Sequence, residues 1–239
     1  MRSLFEVEQI WRADGCCDAR EITYRCRGNR YKAGTVMRVF VLLMGFPGIG
    51  KLTIANELRS LVPAKVIDNH WFNNPIFRLL DDDGMTPLPN GISEYTAKIR
   101  QVVLDAIVAY SSPSESFVFT QALVEGNKGS LHTFQQISDA AQQCAAPLIP
   151  VRLLCDEDEL ARRVSTPARR ERLKSIDEQA SRQRSRRAQV FNPQHPFAAE
   201  LDVTSKSAKA SAAAIQEHVS RVITGDFGPP LATKFDALP

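Results

Sequence analysis

At 239 residues the chain has room for one α/β domain with a full core. Its 44% hydrophobic and 24% charged residues are ordinary for a globular protein, and a net charge of +3 is too small to argue for nucleic acid by itself. The longest apolar run, Val39 to Met44, is far shorter than the span of about eighteen residues that a bilayer requires.

Residues 1–36 mix charges and cysteines without a sustained period, and Gly28 and Gly34 break their end. They lack the apolar stretch of a secretory signal, and Glu6, Glu8, Asp14, Asp18 and Glu21 are too acidic for a transit peptide. The segment is expected to be a weakly ordered extension, with Met37 as the working start; a genuine N-terminal arm is the alternative. Cys16, Cys17 and Cys26 lack zinc-ligand spacing, and Cys144 and Cys155 have apolar neighbours. Five cysteines of this kind read as reduced thiols of a cytoplasmic protein.

The first core element follows at once. Arg38 to Met44 reads as a buried strand, Gly45-Phe46-Pro47-Gly48-Ile49-Gly50-Lys51 as a turn, and Leu52 to Leu61 as a helix. Strand, glycine-rich turn ending in Gly-Lys, and helix form the context of a phosphate-binding loop. Converging backbone N–H groups must reach phosphate oxygens, the positive end of the helix faces the anion, and Lys51 adds a full charge. The hydroxyl residue that usually follows the lysine is replaced by Leu52, and Thr53 comes one place later.

Ala64 to Asp68 predicts a second strand that ends in Asp68-Asn69-His70. Ligands of open parallel sheets bind beyond such strand ends, so Asp68 and His70 are site candidates. Asp68 can equally be a cap or turn residue, and His70 a packed or surface imidazole. Asn73-Asn74-Pro75 suggests a short helix with Pro75 in its first turn. Asp81-Asp82-Asp83-Gly84 reads as a solvated loop, because calcium-loop spacing is absent. Ser93 is expected to cap a helix whose inward face is Ile99, Val102, Val103, Ala106, Ile107 and Tyr110. That face would leave Arg100 at the surface, or reaching a substrate over the sheet edge.

Ser116 to Gln121 predicts the third strand, and it ends in Thr120-Gln121 where many phosphate-loop proteins place a metal-supporting aspartate. Asp68 is the substitute candidate. A helix over 130–145 with Leu131, Phe134, Ile137 and Ala141 inward precedes a fourth strand, which Pro147 and Pro150 would open. Asp156 to Val164 reads as a helix with acids in its first turn, as its dipole favours. From Arg162 to Arg187 ten Lys or Arg stand against three acids. For Arg182 to Arg187 a solvated helix face is expected; Arg163 and Arg170 suit a phosphoryl-transfer site, which needs mobile positive charge. The run has no interleaved aromatics, which counts against nucleic acid. Ala199 to Thr204 is the fifth strand, the last helix carries Ala212, Ile215, Val219 and Val222, and residues 226–239 read as a loose tail.

Five strands separated by helices predict a doubly wound α/β fold. From residue 37 to 225 the chain resembles the small-molecule and nucleoside monophosphate kinase branch of P-loop proteins, most specifically at Gly45 to Thr53. That resemblance implies a three-layer P-loop NTPase fold, a five-stranded parallel sheet of order 2-3-1-4-5 and a small lid. It implies that Gly45, Phe46, Pro47, Gly48, Ile49, Gly50, Lys51, Leu52 and Thr53 hold ATP phosphates, with Thr204 near the adenine. Leu160-Ala161-Arg162-Arg163 is similar to the helix leading into the lid, and Arg169 and Arg170 would be lid arginines. Asp68, Asn69, His70 and Arg100 would line the acceptor pocket, and Thr53 and Asp68 would serve Mg²⁺, in part through water. The activity so implied is γ-phosphoryl transfer from ATP to a small-molecule hydroxyl, with Lys51, Asp68, Arg163 and Arg170 as the catalytic set. An ATP-binding module of low turnover, or a nucleic-acid-linked P-loop protein, is the alternative.

Overall fold

The structure is a computed structural model that describes residues 5–6, 23–26, 29–32, 38–80, 89–164 and 178–226, the first three groups as backbone alone. Ahead of the main domain, β1 (Phe5–Glu6), β2 (Thr23–Cys26) and β3 (Asn29–Lys32) pair as an antiparallel sheet, which the hydrophobic pattern did not announce. The acidic turn at Asp81, the lid arginines Arg169 and Arg170, and the tail from 227 lie outside the described residues.

The main sheet contains β4 (Phe40–Met44), β5 (Ala64–Asp68), β6 (Ser116–Gln121), β7 (Leu148–Leu154) and β8 (Ala199–Asp202). All four neighbouring pairs are parallel, and the order β5-β6-β4-β7-β8 is the expected 2-3-1-4-5. β4 is central and wholly buried. Its alternate residues feed two cores. Val39, Val41 and Leu43 pack with Ile54 and Leu58 of α1 (Lys51–Leu58) and Ile215 of α7 (Ala208–Thr224). Phe40, Leu42 and Met44 pack on the other face with Phe72, Leu104 and Ile137. Those three belong to α2 (His70–Phe77), α3 (Ile92–Tyr110) and α4 (Lys128–Gln143). The three-layer arrangement follows from a strand that is hydrophobic on both sides.

Several local readings change. α2 starts at His70, one turn earlier than Pro75 suggested, so Pro75 lies inside the helix. α3 is capped by Gly91 at φ 83°, not by Ser93, and its buried residues are Thr96, Arg100, Leu104 and Ile107. Val102 is 68% and Tyr110 88% exposed, so the stripe is turned away from the expected face and carries Arg100 inward. α4 begins at Lys128 with the Asn127 side chain accepting from Ser130 N–H, and Leu131 faces solvent. Pro150 lies within β7, opposite Leu42. Phe40 N–H donates to the Pro147 carbonyl, so alternation turns the Pro150 nitrogen toward β8. Since β8 starts pairing only at Val151, no ladder bond is lost there.

α5 (Glu157–Val164) and α6 (Glu178–Arg187) pack together beside the carboxyl end of β7. The face expected to be solvated is partly consumed in ion pairs. Arg182 meets Asp158 and Glu157, and Arg186 meets Glu157 at 2.7 Å. Among the described residues no helix is long and apolar enough to cross a membrane.

Candidate phosphate and acceptor site

The phosphate loop joins β4 to α1 at the carboxyl end of the sheet's central strand. Gly48 and Gly50 sit at φ 98° and 97°, a region that side chains enter at a cost of about 1–2 kcal/mol. A Cβ at Gly48 would also meet Val164 Cγ2 at 2.5 Å, so α5 packs directly on the loop. Lys51 Nζ donates to the carbonyls of Gly45 at 2.8 Å and Phe46 at 3.0 Å. This folds the lysine back over the loop, with its charge at the mouth of the α1 N-terminus. The arrangement fits a polyphosphate: a positive helix end, a curled backbone and one cation. Thr53 is exposed in the first turn of α1, and Leu52 is half-buried.

Arg163 turns out to be a bracket. Its Nε donates to Glu159 Oε1 at 2.6 Å, and Nη1 donates to the Ile49 carbonyl at 3.3 Å. Nη2 donates to the carbonyls of Val203 and Thr204, each at 3.0 Å. One guanidinium thus ties the phosphate loop to the segment after β8. Glu159 also receives Arg162, and hydrogen bonds from both arginines hold its carboxyl down to about 2. The Thr204 hydroxyl donates to Asp202 at 2.6 Å and accepts from Asp156 N–H at 2.9 Å. Thr204 therefore belongs to the same bracket, at the site side of β8.

Asp68 ends β5 directly opposite Thr120 of β6 and is 8% exposed. Its Oδ1 accepts from the Thr120 hydroxyl at 2.5 Å, and Oδ2 faces His70 Nδ1 at 2.9 Å. Asn69 N–H points to the same hydroxyl at 3.4 Å. The strand that lacks a terminal aspartate thus supplies a donor to the aspartate of its neighbour. Cross-strand register, invisible in the linear pattern, creates that link. Asp68 and His70 are brought together.

Beside them, at the same end of the sheet, a cavity of about 970 Å³ opens between α2, α3 and α4. Asn69, Arg100, Gln121 and Thr133 are on its wall. Arg100 is 6% exposed, which overturns the expected surface position. Its Nη1 donates to Thr133 Oγ1 at 2.9 Å and Gln136 Oε1 at 2.8 Å, and its guanidinium lies 5.8 Å from the Phe72 ring centre. Burial lowers its pKa to about 10, so it stays charged at neutral pH. Gln121 was noted in the sequence only for not being an acid. Its carbonyl accepts from Gly45 N–H at 3.3 Å, so cavity wall and phosphate loop share a hydrogen bond. Thr133 and Gln136 carried no signal of their own; the pairing of α3 with α4 reveals them.

The loop after β6 is fastened to the chain leaving α6. Val124 bridges Val190, Glu125 N–H donates to the Gln189 carbonyl at 2.9 Å, and Phe191 N–H donates to the Leu123 carbonyl at 3.1 Å. Among the described residues no cluster of three or more His, Cys, Asp or Glu could hold a metal. Arg163 and Asp68 lie at the carboxyl end of the sheet, while Arg170 lies outside the described residues.

Sheet order, phosphate loop and flanking helices together define the fold of P-loop kinases of the nucleoside monophosphate and small-molecule type. Three of the solved structures similar to this chain illustrate it. A sugar kinase from a Janibacter species is 14% identical, with 77% of this chain and 95% of that one aligned and a TM-score of 0.54. Thymidylate kinase from Candida albicans is 15% identical over 79% of this chain and 93% of that one, with a TM-score of 0.53. A gluconokinase from Sinorhizobium meliloti is 13% identical over 80% and 99%, with a TM-score of 0.52. No family model matches the sequence, and no curated protein matches it. The likeness is one of fold.

Proposed function

We propose that the chain transfers the γ-phosphoryl group of ATP to a hydroxyl of a small molecule seated in the cavity between α2, α3 and α4. One observation carries the reading. The phosphate loop and a cavity that carries Asn69, Arg100 and Gln121 on its wall meet at the carboxyl ends of β4, β5 and β6, joined by the Gly45–Gln121 hydrogen bond. The two partners of an in-line transfer would thus be held side by side.

The loop from Gly45 to Thr53 would cradle the phosphates, and Lys51 would leave the Gly45 and Phe46 carbonyls to neutralise charge on the transferred group. Arg163 would act through position, fixing Ile49 against the β8 side where Thr204 borders the adenine. Asp68 would orient the acceptor hydroxyl or its proton acceptor. With Oδ2 on His70 Nδ1, the carboxylate can hold that ring with Nε2 turned outward. Mg²⁺ would supply charge neutralisation on the phosphates. Asp68 through water, with Thr53, is the donor set for it, and a water-rich shell suits an ion that binds few protein groups. A cytoplasmic location agrees with the free thiols of Cys144 and Cys155.

ADP formation from ATP, screened over small hydroxyl compounds, tests this. Lys51→Ala is expected to abolish turnover with the far-UV spectrum unchanged; undiminished turnover refutes the mechanism. A second reading, an ATP-binding module of low turnover, is favoured by Leu52 and by β6 ending in Thr120-Gln121 instead of an acid. ATP binding without transfer to any acceptor would support it.

A further inference from the structure

The outer side of α3 is unlike that of the other helices around the sheet. Three of its large apolar residues are exposed: Tyr95 by 57%, Val102 by 68% and Tyr110 by 88%. The flanking helices α2 and α4 expose one each, Trp71 and Leu131, and α1 and α7 expose none. Single apolar residues at a surface are ordinary, but a row of them along one helix marks a face that another surface covers.

The row has an internal order. Tyr95, Lys98, Val102, Asp105, Ala106 and Ala109 are all exposed and, stepping by three or four residues, share one side of the helix. Lys98 and Asp105 stand on opposite sides of Val102 in sequence, and neither has an ion-pair partner among the described residues. Lys98 Nζ lies 5.2 Å from the Tyr95 ring centre, and Asp105 Oδ1 accepts from Gln101 Nε2 at 2.8 Å, so both charges are held along the helix surface. Tyr95 is the bulky end of the row, and Ala106 and Ala109 are its small end.

This order is complementary to itself. Let α3 lie antiparallel on a copy of itself, with a two-fold axis between Gln101 and Val102. Lys98 then faces the partner's Asp105, and Asp105 faces the partner's Lys98. Both pairs fall on one flank, because such an axis reverses the helix direction and keeps the flank. Tyr95 lies over the partner's Ala106 and Ala109, and Val102 meets its own copy at the axis. A parallel pairing would set lysine on lysine, and a slip of one helical turn would separate both charge pairs.

We propose that a second copy of the chain covers this face, forming a two-fold dimer through antiparallel α3 helices. Apolar contact drives the association. The ion pairs, worth at most about 1 kcal/mol each at a surface, set its register. A seam built on one pair of helices is at the low end of stable interfaces, about 1,200 Å² in total, so a micromolar dissociation constant is expected. The dimer does not depend on the phosphotransferase reading.

Sedimentation of the full chain over a concentration series at low salt tests this, with far-UV circular dichroism reporting the fold. The expected result is a species of twice the chain mass that dissociates on dilution. Val102→Asp places two carboxylates at the axis and should weaken the dimer at least tenfold. Lys98→Glu and Asp105→Lys each create two like-charge contacts, and each alone should weaken it about tenfold. Mixed in equal amounts, these two variants should associate as well as the native chain, because every contact again joins opposite charges. The double variant Lys98→Glu/Asp105→Lys should do the same by itself. All three positions are exposed, so the substitutions leave the core intact. A chain that stays monomeric at high micromolar concentration, a dimer indifferent to Val102→Asp, or charge swaps that fail to restore association overturns the inference.

Discussion

Replacing Gly48 by alanine tests the packing of α5 on the phosphate loop. Two penalties arise. The φ of 98° costs an alanine about 1–2 kcal/mol. The new methyl also meets Val164 Cγ2 at 2.5 Å and Leu160 Cδ1 at 3.3 Å, and such overpacking costs about 1–3 kcal/mol. The sum is about 2–5 kcal/mol. Gly50 is the internal control: its φ is 97°, yet a Cβ there has nothing within 4 Å. Gly50→Ala should therefore cost only the conformational part, about 1–2 kcal/mol. Urea unfolding followed by far-UV circular dichroism measures both, with unchanged m-values securing the comparison. The clash also pushes α5 outward, and Arg163 rides on α5 while holding the Ile49 carbonyl. AMP-PNP affinity should accordingly fall further in Gly48→Ala than the altered backbone alone would cause. Equal destabilisation by the two substitutions would refute the packing argument.

Three further outcomes are expected. Arg163→Met removes the donor shared by the Ile49, Val203 and Thr204 carbonyls and should weaken AMP-PNP binding about tenfold or more, with Arg163→Lys restoring little; unaltered affinity in a calorimetric titration would return Arg163 to the solvated face. Thr120→Val strips the buried Asp68 carboxylate of a donor and should cost about 1–3 kcal/mol in denaturant unfolding, while Thr120→Ser keeps the stability; equal losses in both would deny the hydrogen bond. Burial pulls the pKa of His195, set between the rings of Phe134 and Phe197, down from 6.5 to about 4. Its Nδ1 accepts from Phe197 N–H, which suits the neutral ring. The folded state favours the neutral form. Stability is therefore full above 6.5, drains as pH falls toward about 4, and levels off below. For this partly exposed ring the loss is about 1–3 kcal/mol. His195→Asn, which keeps an acceptor near that N–H, should flatten that part of the pH–stability curve, and an unchanged slope would count against the buried neutral ring.

How much was legible differs between the two halves of the site. Gly45 to Lys51 was readable as chemistry because contiguous residues build it. Backbone donors, glycines and lysine are all local, and their spacing survives any packing. Strands interleaved with helices predicted a parallel doubly wound sheet, while its order came only from the resemblance that Gly45 to Thr53 carries to P-loop kinases. Arg100 was misread for a definite reason. α3 carries apolar residues around much of its circumference, so two stripes competed, and the richer one contains Val102 and Tyr110, which face solvent. Thr96 and Arg100 lie on the stripe that is buried, where a polar residue is tolerated because Thr133 and Gln136 come from α4 to meet it.

The cavity half of the candidate site therefore depended on tertiary structure. The sequence alone determined a buried strand followed by a glycine-rich turn ending in Gly-Lys and a helix, since that signal lies within consecutive residues. It left open what stands beside the loop. Asp68 and Thr120 meet because β5 and β6 pair in register, and Arg100 and Gln121 share a cavity wall because α3 packs against α2 and α4. Arg163 reaches Ile49 across 114 positions of chain. Contacts of that separation are decided by the packing of whole elements, and no local pattern encodes them.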